Sequence, residues 1–141
     1  MPDAPIDAEA YDLYQRGREL LAARHAHQAV IVLERAEALA PGYGSIDELL
    51  GRAYYSTRAF EQARAAFARA VERYPANDYA HFGLALSLLK TGERDLAVGH
   101  LRMAVAMRPD SVSYGRALAQ ATTGLTAEPM PETPDTGGTD A

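Results

Sequence analysis

Residues 44–77 read GSIDELLGRAYYSTRAFEQARAAFARAVERYPAN. Several of these residues return 34 positions earlier and later in the chain. Pro75 aligns with Pro41 and Pro109, Ala63 with Ala29 and Ala97, and Ala70 with Ala36 and Ala104. Phe67 aligns with Leu33 and Leu101, Tyr54 with Leu20 and Leu88, and Gly51 with Gly17 and Ala85. A period of this size marks a repeat array. Three copies follow, at about 10–43, 44–77 and 78–111.

Each copy reads as two helices. Pairs are expected near 10–23 and 27–39, near 45–57 and 60–73, and near 78–91 and 94–107. Gly17 and Gly51 fall inside the first helix of their copies, where glycine costs ~1 kcal/mol relative to alanine. That cost makes sense if a larger side chain would push one helix off its partner. The alanines recur seven residues apart along each second helix and mark one face at close approach. Each proline stands just past a second helix and stops it. Asn77 and Ser111 are placed to cap the helices that follow. Ser45-Ile46-Asp47-Glu48 has the form of a capping box. Short turns such as Lys90-Thr91-Gly92 end the first helices.

The pattern resembles the tetratricopeptide repeat, a helix–turn–helix with Leu-Gly, Tyr, Ala, Phe, Ala and Pro at fixed offsets. Leu50-Gly51, Tyr54, Ala63, Phe67, Ala70 and Pro75 carry it best. The resemblance covers residues 10–111. The family's early Trp place holds Leu13, Asp47 and His81, and Arg16 replaces the Leu of the first copy. The implied fold is all-α, an α-α superhelical solenoid of three repeats. Residues 112–123 read as one more helix, the lone C-terminal cap that a solenoid end requires, with Tyr114, Leu118 and Ala121 inward and Gly124 at its end. The expected domain is therefore 10–124. Flexible acidic residues 1–9 precede it, and a disordered acidic tail rich in Pro, Thr and Gly follows at 125–141.

Composition narrows the function. Formal net charge is −5. Residues 1–9 carry three acids and no base, and residues 126–141 carry four acids and no base. The body from 10 to 125 has 12 acids and 14 bases, so it lacks the basic stripe of a nucleic-acid binder. Thirteen of the bases are Arg and only Lys90 is Lys. This fits a biased genome or a need for forked carboxylate binding. With no cysteine, disulfides, thiolate metal sites and Cys nucleophiles are excluded. The N-terminus has no basic region or apolar core of a secretory signal. The apolar runs at 29–33 and 103–107 fall far short of the ~20 residues of a membrane span. A soluble, cytoplasmic chain with no membrane association is the expectation.

The resemblance also implies a binding face. In the family the first helices line a concave groove that takes extended or helical peptides. The corresponding residues are Tyr11, Tyr14, Arg18 and Leu21, then Ser45, Glu48, Arg52 and Tyr55, then Tyr79, Phe82, Leu86 and Leu89. Within each helix they lie at i, i+3, i+7 and i+10 and share one stripe. Five of the twelve are Tyr or Phe, and aromatics with Arg are common interface anchors. Tyr11 and Tyr55 fit a second role equally well, covering seams with the ring while the hydroxyl stays wet. Arg18 and Arg52 stand one repeat apart, and packed helices lie ~8–10 Å apart, so the two guanidiniums can converge on one carboxylate. Alternatively Glu48 pairs with Arg52 at i, i+4. Chaperone-binding members use a clamp of Lys, Arg and Asn. Here the clamp places hold Tyr14, Arg18, Leu49, Tyr79 and Gly83, and only Arg18 could serve. A chaperone-tail receptor is not expected.

No catalytic or cofactor motif emerges. His25 and His27 fall in a turn without a third ligand, and a zinc site needs three or four. His81 and His100 read as single structural or exposed residues. Gly42-Tyr43-Gly44 follows a helix-ending proline rather than a strand, so it is no phosphate loop. The expected function is a non-catalytic interaction module or adaptor with a protein or peptide partner, and no metal or cofactor. A structural scaffold is the alternative, acting as a homo-oligomer or an assembly subunit. Its sequence feature is Val30-Ile31-Val32, which cannot all point inward on one helix.

Overall fold

The computed structural model describes residues 6–124. Seven helices follow one another among the described residues, with no strand: α1 (Ala8–Ala22), α2 (Ala26–Leu39), α3 (Gly44–Ser56), α4 (Phe60–Arg73), α5 (Asp78–Lys90), α6 (Arg94–Met107) and α7 (Val112–Thr123). α1 packs on α2, α3 on α4 and α5 on α6. Their connecting turns are too short for any but antiparallel pairing. The pairs stack through α2 on α3 and α4 on α5, and α7 closes the end on α6. The odd helices also touch one another, α1 to α3 and α3 to α5. They form an inner layer, and α2, α4 and α6 form an outer one. The chain is thus an all-α solenoid.

The repeated residues hold the layers together. A Cβ on Gly17 would lie 2.4 Å from Leu33 Cδ2, and one on Gly51 would lie 2.7 Å from Phe67 Cδ2. Gly83 is a third close approach, with its would-be Cβ 2.4 Å from Phe67 Cζ. The fully buried Phe67 ring therefore wedges between α3 and α5. In the third repeat Ala85 stands where Gly51 stands in the second, and the smaller Leu101 replaces Phe67. Ala29, Ala63, Ala97, Ala36, Ala70 and Ala104 are all buried at the helix contacts.

The helix ends follow capping chemistry. Asn77 Oδ1 accepts from Ala80 N, and Ser111 Oγ accepts from Tyr114 N. The turns after α1 and α3 place Arg24 and Arg58 in left-handed conformation (φ 65° and 66°), and Gly92 takes that place after α5. Gly124 ends α7 at φ 83°.

Two local expectations are corrected. The capping box at Ser45–Glu48 does not form. α3 starts at Gly44, and the two carboxylates leave for other helices: Asp47 Oδ1 accepts from Arg69 Nε at 3.0 Å, and Glu48 Oε1 from Asn77 Nδ2 at 2.8 Å. Nor are residues 8 and 9 part of a flexible N-terminus. Asp7 caps α1 by accepting from Glu9 N and Ala10 N, so the helix begins at Ala8. Residues 1–5 and the expected tail at 125–141 lie outside the described residues.

Candidate functional site

The stripe predicted on the inner layer divides into an open part on α1 and α3 and a covered part on α5. On α1, Tyr11 is 45% exposed, and its ring lies 6.3 Å from that of Tyr14. Gln15 Nε2 donates to Tyr11 Oη at 2.8 Å, and Arg18 Nη1 donates to Gln15 Oε1 at 3.2 Å. The Arg18 guanidinium sits 6.0 Å from the Tyr14 ring centroid. One exposed turn of helix thus holds two phenol rings and a guanidinium in a connected arrangement. Gln15, the link, was not legible as a site residue, because it stands between the stripe positions. Leu21, at the end of this stripe, is core.

On α3, Arg52 is half-buried, with its guanidinium 6.0 Å from the Tyr79 ring centroid of α5. The same cation–aromatic step thus occurs in both repeats, within a helix in one and between helices in the other. Glu48 Oε1 accepts a hydrogen bond from Asn77 Nδ2 at 2.8 Å. Burial raises the Glu48 carboxyl above its ordinary range, against the Asn77 bond and the nearby Arg52, which lower it. Ser45 is half-buried. Tyr55 is only 8% exposed and packs edge-on against Phe60 at 5.0 Å. Its hydroxyl is buried with no hydrogen-bond partner among the described residues, and burial pushes its pKa up to about 12.

On α5 the expectation of an accessible stripe is corrected. Tyr79, Phe82 and Leu86 are 3%, 2% and 1% exposed, and Leu89 is half-buried. Helices on both sides contribute: the Arg52 guanidinium of α3 lies 6.0 Å from the Tyr79 ring centroid, the Tyr114 ring of α7 packs 4.8 Å from Phe82, and Tyr114 Oη donates to Asp78 Oδ2 at 2.6 Å. The groups left to meet a ligand are Tyr11, Tyr14, Gln15 and Arg18, with Ser45, Glu48, Arg52 and Leu89 partly exposed.

The family's Trp place holds two buried polar groups, each supplied with a partner. Asp47, 2% exposed, is ion-paired with Arg69, and burial still raises its carboxyl pKa. His81 is not single: its Nε2 lies 2.7 Å from the Pro75 carbonyl oxygen, and its Nδ1 lies 3.0 Å from His100 Nδ1. The carbonyl can only accept, so a neutral His81 carries its proton on Nε2, and its Nδ1 then accepts from Nδ1–H of His100. His100 also lines an open cleft of about 520 Å³ between α4, α5 and α6, with Leu84, Leu88 and Leu96 below and the Glu61–Arg64 ion pair beside it. No group of three or more His, Cys, Asp or Glu among the described residues could hold a metal ion. No helix among them is long and apolar enough to cross a membrane.

Comparison with known proteins agrees with this architecture. The tetratricopeptide-repeat family model matches residues 14–78, 48–112 and 82–128. A search of curated proteins gave no match. Among solved structures, the first repeat domain of Spaghetti (RPAP3) bound to the HSP90 peptide SRMEEVD superposes with a TM-score of 0.80 at 13% identity, over 84% of this chain and 95% of that one. MamA from Desulfovibrio magneticus RS-1 superposes with a TM-score of 0.78 at 20% identity, over 82% of this chain and 65% of that one. A mutant O-GlcNAc transferase from Thermobaculum terrenum gives 0.75 at 21% identity, and this chain spans 85% of itself but only 23% of that enzyme. At these identities the likeness is one of fold.

Proposed function

Because this chain belongs to the tetratricopeptide-repeat family, we propose that it is a non-catalytic module that holds a peptide segment of a partner protein on its inner helix layer. The observation that carries this reading is the exposed Tyr11–Gln15–Arg18–Tyr14 arrangement, with Arg52 presented one helix away. Rings and guanidiniums in this order suit a segment with a carboxylate beside an apolar or aromatic side chain. Tyr11, Tyr14 and Arg18 are the principal contacts in this reading, with Glu48 and Arg52 at the edge. Tyr55, Tyr79, Phe82 and Leu86 support the site from below. The HSP90 peptide in the related structure belongs to that protein. Leu49, Tyr79 and Gly83 occupy the clamp places here, so a chaperone tail is not the ligand proposed.

The test is affinity capture from a native lysate with the wild-type chain beside an Arg18→Glu, Arg52→Glu double variant of verified helicity. The expected result is a protein retained by the wild type and lost by the variant. Reversing groups that meet a desolvated carboxylate weakens binding by ~2 kcal/mol or more, about 30-fold. Equal retention by both baits would refute the inner-layer site.

A further inference from the structure

The outer helix of the third repeat differs from its two predecessors on the face it turns to solvent. At three equivalent positions α2 has Gln28, Arg35 and Leu39, and α4 has Gln62, Arg69 and Arg73. α6 has Leu96, Met103 and Met107, which are 56%, 48% and 39% exposed. Gly99 and the exposed Ala106 continue this apolar strip, and a Cβ on Gly99 would meet nothing within 4 Å.

The flank beside the strip is open as well. In α4 the corresponding flank, with Glu61, Arg64, Ala65 and Ala68, faces the cleft against α6. In α6 that flank carries Asp95, Val98, Gly99 and Arg102. The next helix, α7, takes an inner place, so no outer helix follows it among the described residues. Asp95 and Arg102 have no ion-pair partner among those residues. They are seven residues apart, ~10 Å along the helix axis, too far to pair with each other.

These residues form a short heptad register. Leu96 and Met103 are one pair of seam positions, Gly99 and Ala106 the other, and Asp95 and Arg102 flank the seam on one side. We infer that α6 pairs antiparallel with α6 of a second copy of this chain, about a two-fold axis near Gly99. A two-fold perpendicular to the helices keeps each flank on its own side and reverses its order. Leu96 then packs on Met103 of the second copy, and Asp95 meets Arg102 of the second copy, twice by symmetry. Gly99 lets the backbones approach at the centre. A parallel pair would instead set this flank across the seam from the opposite one and leave both charges unmatched. The self-complementary order of one acid and one base is what selects a second copy as the occupant. This surface belongs to the outer layer and is independent of the inner-layer site proposed above.

Sedimentation velocity of the full chain across a wide concentration range tests the pairing. The expected behaviour is a reversible monomer–dimer equilibrium. Met103→Glu should weaken it by about tenfold or more, the effect of losing a central apolar anchor. The helix should survive, since Arg35 and Arg69 already place a charge there in the other repeats. Asp95→Arg alone and Arg102→Asp alone should each weaken self-association through like-charge contacts. An equal mixture of the two should regain a dimer, because one chain then carries only bases and the other only acids on this flank. A monomer at every concentration overturns the proposal and leaves the strip to another occupant. So does a dimer indifferent to Met103→Glu, or a mixture no tighter than its components.

Discussion

Phe67 fixes the spacing of three helices, because its ring lies where two glycines leave room on α3 and α5. Gly51→Ala should therefore destabilise the chain by about 1–3 kcal/mol through overpacking. Adding Phe67→Leu should recover part of that loss, since the third repeat already joins Ala85 to Leu101 at these places. Urea denaturation of the two single variants and the double variant measures the coupling. Strictly additive losses would contradict the wedge. Gly51 was legible in the sequence because it recurs with the period. Gly83 was not, since neither neighbouring repeat has a glycine at its place. The same limit hid the bonds from Asp47 to Arg69, Glu48 to Asn77 and His81 to His100, which join residues 22, 29 and 19 apart. No local spacing announces such partners. The Tyr and Arg residues of α1 were legible, because the family resemblance marks their places and helical spacing sets them on one stripe.

At the scale of elements, helices and their order followed from proline, alanine and glycine positions. What a repeat pattern could not supply was the different fate of the last one. Tyr79, Phe82 and Leu86 of α5 lie buried, with Tyr79 against Arg52 of α3 and Phe82 against Tyr114 of α7, so residues that are surface by analogy become core. Tyr114→Ala should accordingly cost about 3–5 kcal/mol, as large aromatic truncations in cores do, with a matching drop in the urea midpoint. A loss below ~1 kcal/mol would mean that α7 is not an integral cap. The α5–α6 contact should also make stability depend on pH. Burial, and then His81, hold the His100 pKa below 6.5 in the folded chain. The Glu61–Arg64 pair of α4 stands beside it. The unfolded chain therefore takes up the proton first on acidification. This contribution is intact above pH 6.5 and is lost as pH falls from there through the folded value, with a slope of at most ~1.4 kcal/mol per pH unit. Asp47 and Glu48 have raised pKa values and act in the opposite sense at lower pH, in the range above 3.8 and 4.5. Comparison with a His100→Gln variant isolates the histidine: its stability should fall less between pH 7 and 5.5. Parallel curves would contradict the assignment.

At the scale of the molecule, the solenoid separates two surfaces. The inner layer offers charge and aromatic rings on α1 and α3, and the outer layer offers an apolar strip at the end of α6. A near-neutral body with both signs of charge gives little long-range steering, so recognition rests on contacts at these surfaces. The most direct measurement of the central claim is a backbone-amide NMR titration of the chain with the peptide segment of a captured partner. The prediction is that the largest shifts fall within residues 11–18 and 48–52, with saturation lost in the Arg18→Glu, Arg52→Glu variant. Shifts confined to α2, α4 and α6, with α1 and α3 silent, would contradict it.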